Sequence, residues 1–231
     1  MLDRYKADIT AVADLLRSIP GLPNMVHFAR RLRENMIERR LNIHTARPLD
    51  ECPSVELSSC FADALEYQVV DYQLLRRYME PLRIGPDDVL IDIGCGMGRV
   101  LCVFARTRLK KCIGIEISQE LASIAKRNAC SLRGRRTPIE IRVGDAAEAD
   151  YSVGTIFWIY NPFGERTMHA VLSRVGQSLS TSPRRIQIVY VNPICEAVFR
   201  QFSWLTCSSV RNFPFYHSGA EGAKVNYWTN V

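Results

Sequence analysis

Apolar residues recur along the first part of the chain at the three-and-four spacing of amphipathic helices. From Val89 onward they gather instead into short β-branched runs separated by helical stretches. In the first regime Ile9, Val12, Leu15, Leu16 and Ile19 share a helical face until Pro20-Gly21 ends it. A second helix is predicted from Met25 to about Arg40. After a polar connector containing Pro48 and Pro53, a third is predicted from Phe61 to Met79, stopped by Pro81. In the second regime strands are predicted at Val89 to Ile93, Cys112 to Ile117, Ile139 to Val143, Thr155 to Tyr160 and Arg185 to Val191, with helices between them. That alternation is the mark of β-α-β units and a parallel sheet. Two final runs, Leu205 to Val210 and Lys224 to Asn230, are joined through Asn212-Phe213-Pro214 and Ser218-Gly219 and predict an antiparallel pair closing the sheet. The chain thus divides into a helical extension or lid, residues 1–80, and an α/β domain, residues 81–231.

With 231 residues, 47% of them hydrophobic, the chain suits one packed α/β domain and an extension. The N-terminus scatters charges (Asp3, Arg4, Lys6, Asp8) where a secretory signal needs an apolar run, and nothing approaches the length of a membrane span, so the cytoplasm is expected. Eight cysteines occur without a C-x-x-C pair and read as reduced, mostly buried residues. A net charge of +6 permits an anionic partner without demanding one.

The chemistry begins where Val89-Leu90-Ile91-Asp92-Ile93 runs into Gly94-Cys95-Gly96-Met97-Gly98 and a helix from about Arg99. Glycines let the backbone turn sharply and approach a ligand at the C-terminal edge of a parallel sheet. A dinucleotide fingerprint needs a third small residue where Arg99 stands, and its loop serves a pyrophosphate. Asp92, two residues before the first glycine, better suits S-adenosylmethionine (SAM), organising the loop and the cationic amino-acid end of that cofactor. Glu116 ends the next strand, placed to accept both ribose hydroxyls, or simply to cap the following helix. Asp145 ends the third, placed to accept from the adenine amine while Ala146 offers its backbone amide; an ordinary helix cap is the alternative. Acids at three successive strand ends make the set specific.

On these residues the stretch from about 85 to 231 resembles the class I SAM-dependent methyltransferases. The resemblance implies a Rossmann-like, seven-stranded, mostly parallel sheet with an antiparallel last strand, SAM as cofactor, and Asp92, Gly94, Gly96, Gly98, Glu116, Asp145, Ala146 and Asn161 around it. The fourth strand delivers Tyr160-Asn161-Pro162-Phe163-Gly164, similar to the N-P-P-Y/F element of amino-methylating members but without the second proline. With Asn192-Pro193 after the fifth strand, the chain also resembles small bacterial sugar O-methyltransferases, such as those acting on fucose of rhizobial nodulation signals. That likeness implies a glycan or lipooligosaccharide hydroxyl as acceptor.

Asn161 and His217 are the expected catalytic residues. His217 lies in the loop before the last strand and is the best-placed base, ahead of His169, which reads as a surface residue. No acid ends the run Phe157-Trp158-Ile159-Tyr160-Asn161, which argues against a bound metal. Arg106, Arg108, Lys110 and Lys111 precede the second strand and Arg133, Arg135 and Arg136 the third, so both clusters fall on the edge away from the cofactor. They read as a solvated face or docking surface, and a nucleic-acid substrate is possible but not favoured. Arg30, Arg31, Arg33, Arg39 and Arg40 alternate with Glu34 and Glu38 at a spacing that suits pairing along one helix, or gating of an anionic substrate. The competing readings are an N-methyltransferase for protein or RNA, a non-catalytic SAM-binding module, and a nicotinamide oxidoreductase.

Overall fold

The structure is a computed structural model that describes residues 22–45, 69–213 and 223–230. Helix α1 spans Leu22–Leu41 and α2 spans Tyr72–Met79. The α2 N-cap is Asp71, whose carboxylate accepts from the Gln73 and Leu74 amides. Residues 69–71 are not helical, so of the helix expected from Phe61 to Met79 the described part begins only at Tyr72, because an Asp satisfies the first free amides of a helix better than it continues one; residues 61–68 lie outside the described residues. The helix expected at Ile9 to Ile19 lies outside the described residues, as do Cys52 and Cys60.

Strands β1 (Val89–Ile93), β2 (Lys111–Glu116), β3 (Ile139–Val143), β4 (Ile156–Ile159) and β5 (Gln187–Val191) alternate with α3 (Arg99–Phe104), α4 (Gln119–Ser131) and α5 (Glu165–Thr181). A short helix α6 (Glu196–Phe199) leads to β6 (Thr206–Phe213) and β7 (Ala223–Thr229). The seven strands lie in the order β3-β2-β1-β4-β5-β7-β6, with β7 antiparallel to both its neighbours. The expected mostly parallel sheet with an antiparallel last strand is thus present, and β6 runs three residues beyond its expected end at Val210. Strand order reverses between β1 and β4, which opens a crevice at their C-terminal ends where such sheets bind ligands.

The strands are Val- and Ile-rich on both faces because both faces are covered. On one side α1, α2, α3 and α4 pack over Leu90, Trp158, Val189 and Tyr227. On the other, α5 and α6 pack over Ile91, Phe157, Ile188 and Trp228. The C-terminal end of α1 is tied to α4 by Asn128, which donates to the His44 and Met97 carbonyls, both at 2.9 Å, and accepts from the His44 amide at 2.9 Å. No described helix is long and apolar enough to cross a membrane. Six described cysteines carry free thiols; Cys95, Cys102, Cys112 and Cys195 are buried, whereas Cys130 is exposed and Cys207 half-buried.

Trp158 is the largest fully buried side chain, stacked on Tyr78 at 6.3 Å and edge-on to Phe104 at 5.8 Å. Trp158→Ala empties the junction between α2 and the sheet and is expected to cost roughly 3–5 kcal/mol, read as a lowered urea midpoint.

Candidate functional site

The loop after β1 turns through three glycines of positive φ: Gly94 at 76°, Gly96 at 52° and Gly98 at 81°. At Gly94 a side chain is excluded twice, by this φ and by Pro162, whose Cβ lies 2.3 Å from the place a Gly94 Cβ would take. The glycine loop and the Asn161-Pro162 segment after β4 are therefore in contact. The Gly94 and Cys95 amides both donate to the Ile115 carbonyl, at 2.9 and 3.0 Å, which moors the turn to the end of β2.

The three acids occupy the strand ends as the sequence implied. Asp92 is buried, and its Oδ2 has no hydrogen-bond partner among the described residues. Burial, and then the nearby charge of Glu116, push its carboxyl well above the usual range. Glu116 accepts from the Gly96 amide at 2.8 Å and from the Ser118 amide at 2.9 Å. Burial raises its carboxyl, and these amides partly oppose the rise. Through these amides Glu116 sets the loop at the end of β2. Asp145 caps the short 3-10 turn Ala146–Glu148, accepting from the Ala147 amide at 2.8 Å, so the helix-cap alternative is realised for one of its oxygens.

Across the crevice, Asn161 and Asn192 end β4 and β5 in left-handed backbone, with φ of 42° and 48°. Non-glycine residues hold that conformation at a cost, and Asn tolerates it best. The Asn161 Nδ2 donates to the Asn192 carbonyl at 2.5 Å, which leaves its Oδ1 buried without a partner among the described residues. Asn192 in turn donates to the Tyr160 hydroxyl at 3.3 Å. Burial raises the Tyr160 phenol, opposed by Asn192 and by the charge of Arg30, which brings α1 close to this end of the sheet. Among the aromatic residues near this end, Phe163, Phe213, Tyr227 and Trp228 are core. His169 is exposed on α5, beside Phe202. His217, the expected base, lies outside the described residues.

Sequence reasoning missed the role of Arg99. It is 4% exposed, and its guanidinium reaches Glu34 at 2.5 Å, Glu38 at 3.1 Å, the Thr45 hydroxyl at 2.7 Å and the Val70 carbonyl at 2.8 Å, while lying over the Tyr72 ring at 4.2 Å. Arg30 and Arg33 both pair with Asp71. The pairing expected between these arginines and Glu34 or Glu38 along α1 is thus replaced by pairs to other elements. Burying Glu34 and Glu38 makes a buried cation the stronger partner than a solvated neighbour one turn away. The one signal available was negative: an arginine standing where a nucleotide-binding turn wants a small residue.

A family model described as histone methylation protein DOT1 matches residues 61–145, from before α2 to Asp145 and well under half of the chain. In sequence the chain is 31% identical over 94 residues to a protein-lysine N-methyltransferase of Saccharolobus islandicus, a match covering 38% of this chain and 55% of the relative. It is 41% identical over 49 residues to a histone-lysine N-methyltransferase, H3 lysine-79 specific, of Caenorhabditis elegans, covering 21% of this chain and 5% of the relative. The chain thus spans about half the length of the first relative and a small part of the second. In structure it is similar to an RNA methyltransferase from Salinibacter ruber in complex with S-adenosyl-L-homocysteine, with a TM-score of 0.53 and 24% identity, covering 70% of this chain and 93% of that one. The fold is that of the class I SAM-dependent methyltransferases.

Removing Arg99 strands two buried carboxylates. Arg99→Met should lower stability at pH 7 by about 3–5 kcal/mol, and adding Glu34→Gln and Glu38→Gln should restore most of it. Burial already raises Glu34, against the pull of Arg99. In Arg99→Met it should rise further, so the stability deficit is smallest below the unfolded glutamate value and grows as pH rises through the folded one. Urea titrations at a series of pH values read both effects.

Proposed function

We propose that this chain is a SAM-dependent methyltransferase and that its acceptor is the amine nitrogen of a protein lysine. The observation that carries the reading is the pair of buried, unpartnered acceptors flanking the Gly94–Pro162 contact: Asp92 Oδ2 on one side and Asn161 Oδ1 on the other. An unpartnered buried acceptor costs stability, and a ligand that donates to it recovers that cost. Asp92 fits a cationic amino group, Glu116 a ribose diol, and Asp145 with the Ala146 amide an adenine edge. When bound, SAM supplies an activated methyl group on a sulfonium.

The protein's own part is alignment. Asn161, fixed by its bond to the Asn192 carbonyl, offers Oδ1 to an amine N–H and so turns the nitrogen lone pair toward the crevice. The lysine names of the relatives matched in sequence support an amine acceptor. Domain organisation follows the same reading, with the described part of the helical extension acting as a lid whose Arg30 lies near Tyr160. The second reading is the sugar hydroxyl implied by Tyr160-Asn161-Pro162-Phe163 and Asn192-Pro193. It needs a base to take the hydroxyl proton, and His217 is its candidate.

Calorimetric titration should show micromolar binding of S-adenosylhomocysteine and none of NAD; the reverse sinks the reading. Burial holds Asp92 and Glu116 high in the free protein, and a bound ammonium favours the ionised carboxylate. Binding should therefore release protons, and affinity should rise with pH until it passes the free-protein values, then level off. Titrations in two buffers of different ionisation enthalpy measure that release.

For the acceptor, labelled SAM should transfer methyl to lysine residues of a protein mixture and not to fucosylated oligosaccharides. Asn161→Ala should lower kcat on the order of 100-fold while binding of the cofactor product persists. Transfer to the oligosaccharide, insensitive to Asn161→Ala, would install the second reading instead.

A further inference from the structure

The edge of the sheet opposite the site carries charge that neither the fold nor the proposed chemistry uses. The loop before β3 exposes Arg133 and Arg136, and the loop before β2 exposes Arg106, Arg108 and Lys110. Arg83 before β1 and Arg185 before β5 extend the row. None of these is in an ion pair with a described residue. Neighbouring cations do have fixed work. Lys111 pairs with Glu140, and Arg184 donates to the Gly154, Tyr151 and Ser178 carbonyls. Exposed acids in these segments include Glu80, Asp87 and Asp150, while Asp88 is taken up by the Gly85 amide and the Thr155 hydroxyl.

The row is continuous and held on rigid backbone. The Arg136 and Thr137 amides both donate to the Ala105 carbonyl, at 2.8 and 3.0 Å, which joins the first two loops. The Arg106 guanidinium lies over Gly134, its Nε 3.4 Å from where a side-chain carbon there would sit. The Lys110 amide donates to the Asp88 carbonyl, and Arg83 is locked to Gln187 by reciprocal bonds of 3.0 and 2.8 Å. At the β1–β5 end, Arg83 and Arg185 flank a hollow of about 400 Å³ floored by Gly85 and Gln187. From β3 to β5 the row crosses five strands, a span of roughly 19 Å.

We propose that this edge is a docking surface for a nucleic-acid backbone, separate from the site where a methyl acceptor would bind. Six of the seven cations are arginines, whose planar guanidinium takes a phosphate in two parallel hydrogen bonds. Along ~19 Å of helix axis a duplex carries roughly eleven backbone charges, one per ~1.7 Å over both strands, and the row meets those on the facing side. A membrane surface fits less well, because Val153 is the one large exposed hydrophobic of this edge among the described residues, and interfacial anchoring needs an apolar wedge. Since the row reads charge and not base edges, the binding is independent of sequence. The surface stands whether or not the lysine reading does.

The test is fluorescence anisotropy of the full chain with a short duplex of arbitrary sequence, at salt concentrations from about 50 to 200 mM. Wild type should bind at low salt with a slope of log K against log salt of roughly −4 to −6. The triple variant Arg106→Ala, Arg133→Ala, Arg136→Ala should flatten that slope by about 3, with circular dichroism and S-adenosylhomocysteine binding unchanged. Arg39→Ala with Arg40→Ala, on α1, should leave it as it was. Absence of duplex binding at low salt, a wild-type slope in the triple variant, an equal loss in the α1 variant, or tighter binding to phosphatidylserine vesicles than to duplex would each overturn the proposal. Retained cofactor-product binding in the same samples separates that failure from failure of the methyltransferase reading.

Discussion

Arg99 is where α1, the glycine turn and the sheet are made to agree. It is the first residue of α3, immediately after Gly98, and it is buried beneath α1. A cation taken out of water loses hydration that one partner rarely restores. Here two carboxylates, a hydroxyl and a carbonyl share the guanidinium, and the Tyr72 ring covers its face. Beside it Asp71 is held low by the α2 amides and by Arg30 and Arg33, against burial, which pulls the other way. Three acids thus meet three arginines, so the cluster as a whole is neutral even though it is sheltered. The arrangement fixes geometry more than it adds stability: α1 has one register in which both Glu34 and Glu38 find Arg99. Parting them must either rehydrate the group or leave charges stranded, which ties the position of α1 to that of the turn.

The opposite economy holds at the strand ends. Asp92 and Glu116 sit in a region dry enough to push both carboxyls up, and neither is given a cation by the described residues. A fold selected for stability alone would place apolar side chains there or supply an arginine. Keeping two acids short of partners is a standing cost, and a ligand that carries positive charge and several N–H or O–H donors recovers it. The contrast is within one turn of backbone: Arg99 is satisfied several times over, while Asp92 Oδ2, seven residues earlier, has no partner among the described residues.

The alternation of helix and strand, the strand positions and the three acids were legible because each follows from local physics: period, β-branching, glycine turns, and acids where parallel strands end. Element ends were less legible. Asp71 starts a helix at a point where the apolar periodicity runs straight through, since a side chain that satisfies two backbone amides outweighs a pattern of burial. Partner choice was not legible at all. Glu34 has Arg30 and Arg31 one turn before it and Glu38 has Arg39 and Arg40 beside it, yet Glu34 and Glu38 bond to a residue 65 and 61 positions away respectively. Sequence spacing ranks neighbours, whereas burial decides which of them a carboxylate can afford to ignore. Asn161 was singled out from its motif, but its tie to Asn192 depends on two left-handed residues at adjacent strand ends, a coincidence of register that no local pattern encodes.

That coincidence bears on what the crevice selects. β4 and β5 are neighbours in register, so Asn161 and Asn192 emerge side by side, each followed by a proline. Proline restricts the residue before it to extended backbone in ordinary chains, yet both asparagines hold positive φ. The strain has to be met by something, and the bond from Asn161 Nδ2 to the Asn192 carbonyl meets part of it. One of the amide's two N–H groups is committed to Asn192, and its oxygen is left without a partner among the described residues. An oxygen there is an acceptor and never a donor, so it discriminates among incoming groups by whether they carry a hydrogen to give. A neutral primary amine keeps its nitrogen lone pair free for attack while giving an N–H to that oxygen. A hydroxyl that gives its single hydrogen to Asn161 still needs a base to take it away, and an amide oxygen cannot. On the amine reading proposed above, the geometry that strains the backbone would also set an acceptor oxygen beside the incoming nitrogen.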